Sequence, residues 1–486
     1  MAITKMQRIP ITSESKPFAA AAEKCGFDAL GYVEEEYFQT GTANVYAENA
    51  LHEVSPIFRD APYTTRVIVR RPKDKAHFSG NVVLEILNSS ANIDIDRMWV
   101  NSWPFFTRNG DIYVGISSKG HVVDSLKGFA PRRYAPINWD NPMPDRPAPE
   151  MPKDSKLRFL PQYEMGLFWD MLVDLAKLLR SGDEKNFLRE FGVPYLYLTG
   201  WSQSTAYVNR VVRSFAYRPE NCGQRPLFDG YLNGGGGANL CPVNNDVMFS
   251  LGGVDPAGGV MGAREPFIAV NTESENCSSF WYGDFDEPNF KFRTWQIAGS
   301  SHDSKYNLVD YYGEADLKML EGLGIYNGYY GVDGEALNCP YEPVFSAAFQ
   351  ALYKWTRDKI PAPHAPKIET YMSTEPVTAI RTGYVGNLTD AFGNCRGGIR
   401  IPAIAYPTGK YSPTSTKADG TVMGAFGKVN PFSGAMLREL YGSLAHYRAL
   451  IEAEYDRLAA QGFLLEGDRK ANLDYTEACA KARGLE

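Results

Sequence analysis

Apolar strand-like segments alternate with helix-like segments along most of the 486 residues, and this alternation constrains the fold more than any other feature. Continuous apolar strands are buried on both faces, as in sheets covered by helices. The pattern therefore predicts an α/β fold with a mostly parallel central sheet and helices on both of its faces. The segments predicted as strands are 63–71, 81–87, 111–116, 195–198, 227–232, 266–270 and 292–298. Those predicted as helices are 163–180, 205–215 and 343–358.

A serine stands at the turn between one predicted strand and the helix after it, in Gly200-Trp201-Ser202-Gln203-Ser204. This order is typical of a nucleophile elbow, in which small residues two before and two after the serine let strand and helix approach. Gly200 and Ser204 are small, although glycine is usual at the later position. We expect Ser202 to be a nucleophile, and the alternative is an ordinary turn.

A serine hydroxyl needs a base before it can attack, and the chain has only six histidines. In the hydrolase order the acid and then the histidine follow the serine, which excludes the three histidines before Ser202. His364 lies in a proline-rich segment, and His446 lies in a helical pattern. His302 directly follows the predicted strand 292–298, so it is the expected general base.

The acid should follow the strand between Ser202 and His302, because its task is to hold the imidazole in one tautomer. Two carboxylates stand just past strand 266–270, Glu273 and Glu275. Glu275 reaches further beyond the strand and is the favoured acid, with Glu273 as the alternative.

An acyl-transfer site also needs donors for the developing oxyanion. The backbone N–H of Gln203 begins the helix after the elbow, where the helix dipole favours negative charge. The second donor should come from the loop after an early strand. Ser89, in the Asn-Ser-Ser run after 81–87, is the expected residue, although such a run is also an ordinary turn.

Three long segments interrupt the alternation, and loops of such length in a compact domain are usually functional. Residues 131–161 are rich in proline, whereas 237–264 and 303–342 are rich in Gly, Asn and Tyr. We expect a catalytic domain over 1–365 with lid insertions near these segments. A β/loop and helical extension over 366–486 should pack on it.

Composition excludes several classes of protein. The net charge is −7 and no Lys/Arg run exceeds a pair, which argues against a nucleic-acid partner. No stretch approaches the roughly 18 apolar residues of a membrane span. The glycines at 234–237 precede no Gly-Lys-Ser/Thr, and no His/Cys cluster has metal-ligand spacing, so neither a cofactor nor a metal is expected.

Cysteine usage bears on the compartment. The seven cysteines are widely spaced, and reduced thiols in a cytoplasmic protein are the expectation. The alternative is an exported protein whose signal segment is missing from this sequence, with disulfides among Cys241, Cys277 and Cys339.

The chain resembles the large α/β-hydrolase domain proteins whose elbow reads G-x-S-Q-S, over roughly residues 30–480. The resemblance implies the α/β-hydrolase fold and a serine triad. It places Ser202 at the elbow serine, His302 at the histidine after Ala-Gly, and Glu275 at the acid of the T-E-x-[D/E] segment, where Asp is common. The segments that carry it are YTTR (63–66), RRP (70–72), FSG (78–80), EILN (85–88), YVGI (113–116), RYAP (133–136), TESE (272–275) and WQIAGSSH (295–302).

These features predict a carboxylic ester hydrolase that works through an acyl-enzyme on a small-molecule ester. Aromatic residues in 303–342 suggest hydrophobic or aromatic esters. The alternatives are a non-catalytic binding protein on a hydrolase scaffold, and an amidase, thioesterase or acyltransferase with the same triad. A homo-oligomer remains open. The aromatic residues are Tyr306, Tyr311, Tyr312, Tyr326, Tyr329 and Tyr330.

Overall fold

A ten-stranded sheet forms the centre of the protein in the computed structural model. The structure describes residues 2–51, 53–147, 160–223, 225–246, 260–276, 283–312, 314–322, 334–374, 385–417, 420 and 422–486. Parts of all three predicted insertions lie outside these ranges, namely 148–159, 247–259 and 323–333.

The sheet contains a strand at each of the seven predicted segments and three strands that were not predicted, two at the N-terminus and one directly before the last strand. The sheet runs β1-β2-β3-β5-β4-β6-β7-β8-β10-β9. Its strands are β1 (Ile3–Ile9), β2 (Tyr32–Glu48), β3 (Val54–Pro72), β4 (Asn81–Ile86), β5 (Ile112–Ile116), β6 (Tyr195–Trp201), β7 (Gly230–Gly234), β8 (Phe267–Thr272), β9 (Phe285–Glu287) and β10 (Phe290–Ile297).

The central strands β5, β4, β6, β7, β8 and β10 are parallel. Every residue of β4 and β5 is buried, as expected for strands covered on both faces. The prediction of a mostly parallel α/β sheet is therefore confirmed. The long antiparallel ribbon formed by β1, β2 and β3 was not predicted, and only the second half of β3 had been recognised as a strand.

Helices cover the sheet in two layers. Tyr197 of β6 contacts Tyr353 of α9 (Glu342–Arg357), with ring centroids 4.7 Å apart. Helix α9 also packs on α2 (Arg97–Asn109) through Phe349 and Phe106. Trp169 and Phe215 join α5 (Phe168–Leu179) to the end of α6 (Gln203–Ser214), with their ring centroids 5.1 Å apart. The helices are α1 (Phe27–Leu30), α2 (Arg97–Asn109), α3 (Val122–Phe129), α4 (Pro131–Tyr134), α5 (Phe168–Leu179), α6 (Gln203–Ser214), α7 (Glu273–Asn276), α8 (Glu314–Gly322), α9 (Glu342–Arg357), α10 (Pro402–Ala405), α11 (Gly434–Tyr441), α12 (Leu444–Ala460) and α13 (Arg469–Ala482).

Short one-turn elements complete the backbone description. There are 3₁₀ turns at Lys75–His77, Met165–Leu167 and Glu466–Asp468, and a π-helix at Tyr306–Asp310. The π-helix and α8 give regular structure to parts of the segment 303–342, whose sequence shows no recognisable periodicity.

The C-terminal region contains small sheets and helices α10 to α13. Trp295 of β10 packs against Phe463, with ring centroids 5.1 Å apart, and Arg108 of α2 pairs with Asp468 at 2.8 Å. The region therefore contacts both the sheet and one helical layer, while the domain boundary near 365 stays a prediction. Its strands are β12 (Thr370–Met372), β13 (Val385–Asn387), β14 (Gly409–Ser412), β15 (Ser415–Thr416), β16 (Val422–Met423) and β17 (Lys428–Pro431). The earlier strand β11 (Glu335–Ala336) pairs with β17.

Candidate active site

Ser202 occupies a strained turn between β6 and α6. Its backbone has φ 57° and ψ −118°, and it is the residue from which α6 begins. A positive φ is uncommon for a residue with a Cβ, and such strain is concentrated at functional sites. The Ser202 N–H donates to the carbonyl oxygen of Gly234 at 2.8 Å, which fixes the turn to the end of β7.

The small residues around the elbow are required by close packing. A Cβ on Gly200 would lie 2.8 Å from the carbonyl oxygen of Ser204 and 3.0 Å from its Cβ. A Cβ on Gly234 would lie 2.6 Å from the Trp201 ring, and one on Gly236 would lie 2.1 Å from Thr205 Oγ1. Gly234 and Gly236 therefore provide room for the elbow.

Glu275 and His302 form a hydrogen-bonded pair. Glu275 Oε1 lies 2.7 Å from His302 Nδ1. The other carboxylate oxygen accepts from the N–H and hydroxyl of Thr272 at 2.7 and 2.8 Å, so the carboxylate is fixed at the end of β8. Ser274 Oγ accepts from the His302 backbone N–H at 2.7 Å.

The imidazole of His302 lies beside the elbow. Its ring centroid is 5.1 Å from that of Trp201, the residue before Ser202. Ser202 and His302 are both described, and their side chains form no hydrogen bond with each other. Catalytic hydrogen bonds are often long in enzymes without substrate and tighten only in the complex.

The electrostatics of His302 follow from its surroundings. Burial disfavours the charged imidazole, but the adjacent Glu275 carboxylate outweighs burial and raises the pKa of His302 above its ordinary 6.5. This is the environment in which a carboxylate stabilises an imidazolium formed during proton transfer.

Glu273, the alternative acid, faces a different group. Its Oε2 accepts from the Gly299 N–H at 2.7 Å. Burial raises the pKa of Glu273 to about 7, against the lowering effect of the Gly299 hydrogen bond. Between the two predicted carboxylates, the structure brings Glu275 to the imidazole and Glu273 to the backbone of the loop that carries it.

The loop after β4 forms hydrogen bonds with the elbow. Asn88 Nδ2 donates to the Trp201 carbonyl at 2.8 Å, and Ser89 Oγ donates to Gln203 Oε1 at 3.2 Å. The described residues offer no acceptor to the backbone N–H of either Ser89 or Gln203. Both predicted oxyanion donors are therefore held near each other with their N–H groups available.

Sequence reasoning missed several residues that surround this site. His121 Nε2 lies 3.1 Å from the Ser89 carbonyl oxygen, Arg97 pairs with Asp303, and Lys119 lies beneath the elbow. His121 had been excluded because it precedes Ser202. Their positions after predicted strands could have indicated them, because residues that follow parallel strands meet at the same edge of the sheet.

Three of the tyrosines expected to line the substrate pocket form hydrogen bonds on or next to α2. Tyr311 and Tyr312 are buried, and their hydroxyls contact Trp99 Nε1 and Asp96 Oδ1 at 2.8 and 2.6 Å. Tyr306 accepts from Trp103 at 3.2 Å. These three therefore pack against α2, and the other candidates, Tyr326, Tyr329 and Tyr330, lie outside the described residues.

No helix in the described part of the chain has the length and apolar character needed to cross a bilayer. Within the same ranges no three His, Cys, Asp or Glu side chains are grouped as metal ligands. Cys241 and Cys339 are free thiols, and Cys277 lies outside the described residues.

Solved structures with partial likeness are hydrolases. Esterase Est22 with p-nitrophenol is 11% identical, with 54% of this chain and 73% of that chain covered and a TM-score of 0.28. An alpha-beta serine hydrolase homologue from Coxiella burnetii is 9% identical, with 58% and 96% covered and a TM-score of 0.26. A cold-adapted esterase from an Arctic intertidal metagenomic library is 11% identical, with 49% and 72% covered and a TM-score of 0.24. Likenesses this partial support no inference about activity.

Comparison by sequence gives a clearer result. No curated protein matches the chain. A family model described as an alpha/beta hydrolase domain matches residues 5–474, nearly the whole chain. With the sheet order described above, this match confirms the predicted fold and resemblance, and the protein belongs to this alpha/beta hydrolase domain family.

Proposed function

We propose that the protein is a serine hydrolase that cleaves carboxylic esters through an acyl-enzyme. Ser202 Oγ attacks the ester carbonyl while His302 Nε2 takes its proton. The same imidazole returns the proton to the departing alcohol. A water molecule activated by His302 then hydrolyses the acyl-serine and regenerates the enzyme.

The observation that carries this proposal is the strained backbone of Ser202 at the start of α6. A serine in an ordinary turn has no need of a positive φ, whereas a nucleophile elbow uses it to raise Oγ above the sheet. The turn is also the point where the helix dipole favours an anion.

The pair of Glu275 and His302 supports the assignment of the base. A carboxylate on Nδ1 leaves Nε2 as the nitrogen that can accept a proton from Ser202. Glu275 accepts two further hydrogen bonds from Thr272, which hold it in one orientation. Glu275 is therefore the acid of the proposed triad, and Glu273 is not.

The N–H groups of Ser89 and Gln203 are the proposed oxyanion donors. They approach from the loop after β4 and from the first residue of α6, the two places from which this fold supplies such donors. Each donor of this kind lowers the barrier by about 3 kcal/mol in acyl-transfer enzymes.

Labelling by a fluorophosphonate tests the nucleophile directly. We expect covalent labelling of the wild-type protein at Ser202, with loss of label and of p-nitrophenyl ester hydrolysis in Ser202→Ala. Ser125→Ala removes another buried hydroxyl, one that donates to Val122 at 2.8 Å, and should keep both. A folded wild-type protein that takes no label and hydrolyses no ester would instead fit a non-catalytic binding protein.

We also propose a preference for hydrophobic or aromatic esters. Tyr306, Tyr311 and Tyr312 pack against α2, so the proposal does not depend on these three side chains. Kinetics on p-nitrophenyl esters of increasing acyl length measure it. A rise of kcat/KM with acyl size supports the preference, and equal values across the series contradict it. Amide and thioester analogues in the same assay separate the other acyl-transfer reactions.

A further inference from the structure

A lysine is completely buried beneath the elbow. Lys119 follows β5, and its Nζ lies 2.6 Å from Ser118 Oγ and 3.3 Å from Ser204 Oγ. It also lies 4.1 Å above the centre of the Tyr207 ring, on the first turns of α6. One ammonium group therefore contacts the segment after β5 and the elbow helix together.

Both of these hydroxyls converge on one carbonyl. Ser118 Oγ donates to the Leu87 oxygen at 2.6 Å, and Ser204 Oγ donates to the same oxygen at 3.2 Å. Leu87 directly precedes Asn88 and Ser89, so the proposed oxyanion loop begins at this carbonyl. Asn88 also donates to the Trp201 carbonyl, so the loop and the elbow are connected by a second hydrogen bond besides those at the Leu87 carbonyl.

The lysine is costly for the fold. Burying an ammonium requires compensation, which a carboxylate partner usually provides. No carboxylate of the described residues lies within ion-pairing distance of Nζ. Burial accordingly lowers the pKa of Lys119 to about 7, against the opposing influence of Cys241 and Asp94. An apolar side chain of similar volume would suit this location better if stability alone mattered.

We propose that Lys119 is a positioning residue, which sets the distance between the oxyanion loop and the nucleophile elbow through Ser118 and Ser204. This inference rests on the proposed ester hydrolysis. It also accounts for serine at position 204, where the elbow pattern usually has glycine, because the Ser204 hydroxyl is the contact between the ammonium and Leu87.

The test is a double-mutant cycle of Lys119→Met and Ser204→Ala, measured with unlabelled enzyme on a p-nitrophenyl ester. Rates are normalised to the concentration of reactive sites, which fluorophosphonate labelling of a separate sample gives. We expect kcat to fall between about 10-fold and 10²-fold in Lys119→Met, since small misplacements of reacting groups have such effects. KM should stay within about twofold, as expected when the lost interaction acts only in the transition state.

Two further readouts separate positioning from a merely structural role. The melting temperature of Lys119→Met should be equal to or higher than that of the wild type, because a buried charge has been removed. The double variant should be no slower than Lys119→Met, because both substitutions break the same connection. Ser125→Ala is the matched control for loss of a buried hydroxyl and should keep the wild-type kcat.

The inference is overturned if Lys119→Met and Ser204→Ala both hydrolyse the ester at the wild-type rate per phosphonate-reactive site, or if their losses multiply in the double variant. If Lys119→Met does not fold, a wild-type kcat in the milder Ser204→Ala overturns it as well. These results differ from failure of the proposed function, in which the wild-type protein itself takes no label and turns over no ester.

Discussion

Arg97 Nη2 lies 2.8 Å from Asp303 Oδ1, and both side chains are buried. Arg97 begins α2, directly after the loop that carries Ser89, whereas Asp303 is the residue after His302. The guanidinium also lies 5.6 Å above the Trp201 ring. The pair thus connects the proposed oxyanion loop to the loop of the proposed base.

We predict that Asp303→Ala lowers both stability and activity. Removing Asp303 leaves the buried Arg97 charge without its carboxylate partner, which costs about 3 kcal/mol of unfolding free energy. Urea unfolding measures this loss. Arg97→Met combined with Asp303→Leu should recover stability but not kcat, and recovery of both would show that the ion pair does not position His302.

The two glutamates after β8 should differ sharply when each becomes glutamine. Glu275→Gln places an amide against Nδ1 and destroys the tautomer preference, so kcat should fall by about 10⁴-fold, as in triads that lose the acid. Glu273→Gln resembles the protonated form of a carboxyl whose pKa burial already raises to about 7, and should change kcat little. Equal losses would contradict the assignment of Glu275.

The pH dependence of kcat/KM should report His302. A general base acts only when neutral, and the neighbouring Glu275 raises the pKa of this imidazole despite burial. Activity should therefore rise with pH through a midpoint above the ordinary 6.5. A profile that is already flat below that value would show that His302 is not the base.

Glu85 should make the folded state less stable as pH rises. It is buried in β4, where it accepts from the Met98 and Trp99 N–H groups at the start of α2. Burial raises the pKa of Glu85 from 4.5 to about 8, so between these values the folded state binds more protons than the unfolded state. Urea unfolding free energies should decline with pH across this window, and less steeply in Glu85→Gln.

Gly234→Ala should reduce activity through Trp201. The added methyl would lie 2.6 Å from the indole ring, which must shift, and this ring packs against the imidazole of His302. We expect a lower kcat with ester substrates and a small loss of stability. Gly182→Ala is the control, because its methyl meets no atom within 4 Å, and it should behave as the wild type.

The parallel strands could be predicted because continuous burial leaves a simple signature. All six residues of β4 are buried, and Asn81–Ile86 contains the apolar run Val82–Leu84. The ribbon of β1 to β3 could not be predicted in the same way. In β2, Glu34 and Glu36 occupy buried positions because Arg70 and Arg66 of β3 pair with them, and pairing across strands is invisible in a single sequence.

The candidate site likewise contains residues that could be predicted from the sequence and residues that could not. Ser202 and His302 each follow a recognisable strand, so order along the chain was enough to propose them. For the acid, the same order left Glu273 open beside Glu275. Lys119 and Arg97 could not be selected, because their roles depend on which loops meet at the sheet edge. A lysine after a strand is usually a solvated residue, and only the fold shows that this one is enclosed.

The conformation of Ser202 has a consequence for evolution in the laboratory. Its positive φ would suit glycine better than any residue with a side chain, since glycine enters that region without steric penalty. Selection for heat resistance alone, with no demand for turnover, should therefore enrich Gly at this codon. Such a population would gain thermal stability and lose the proposed nucleophile. A screening campaign must therefore select for product formation in every round.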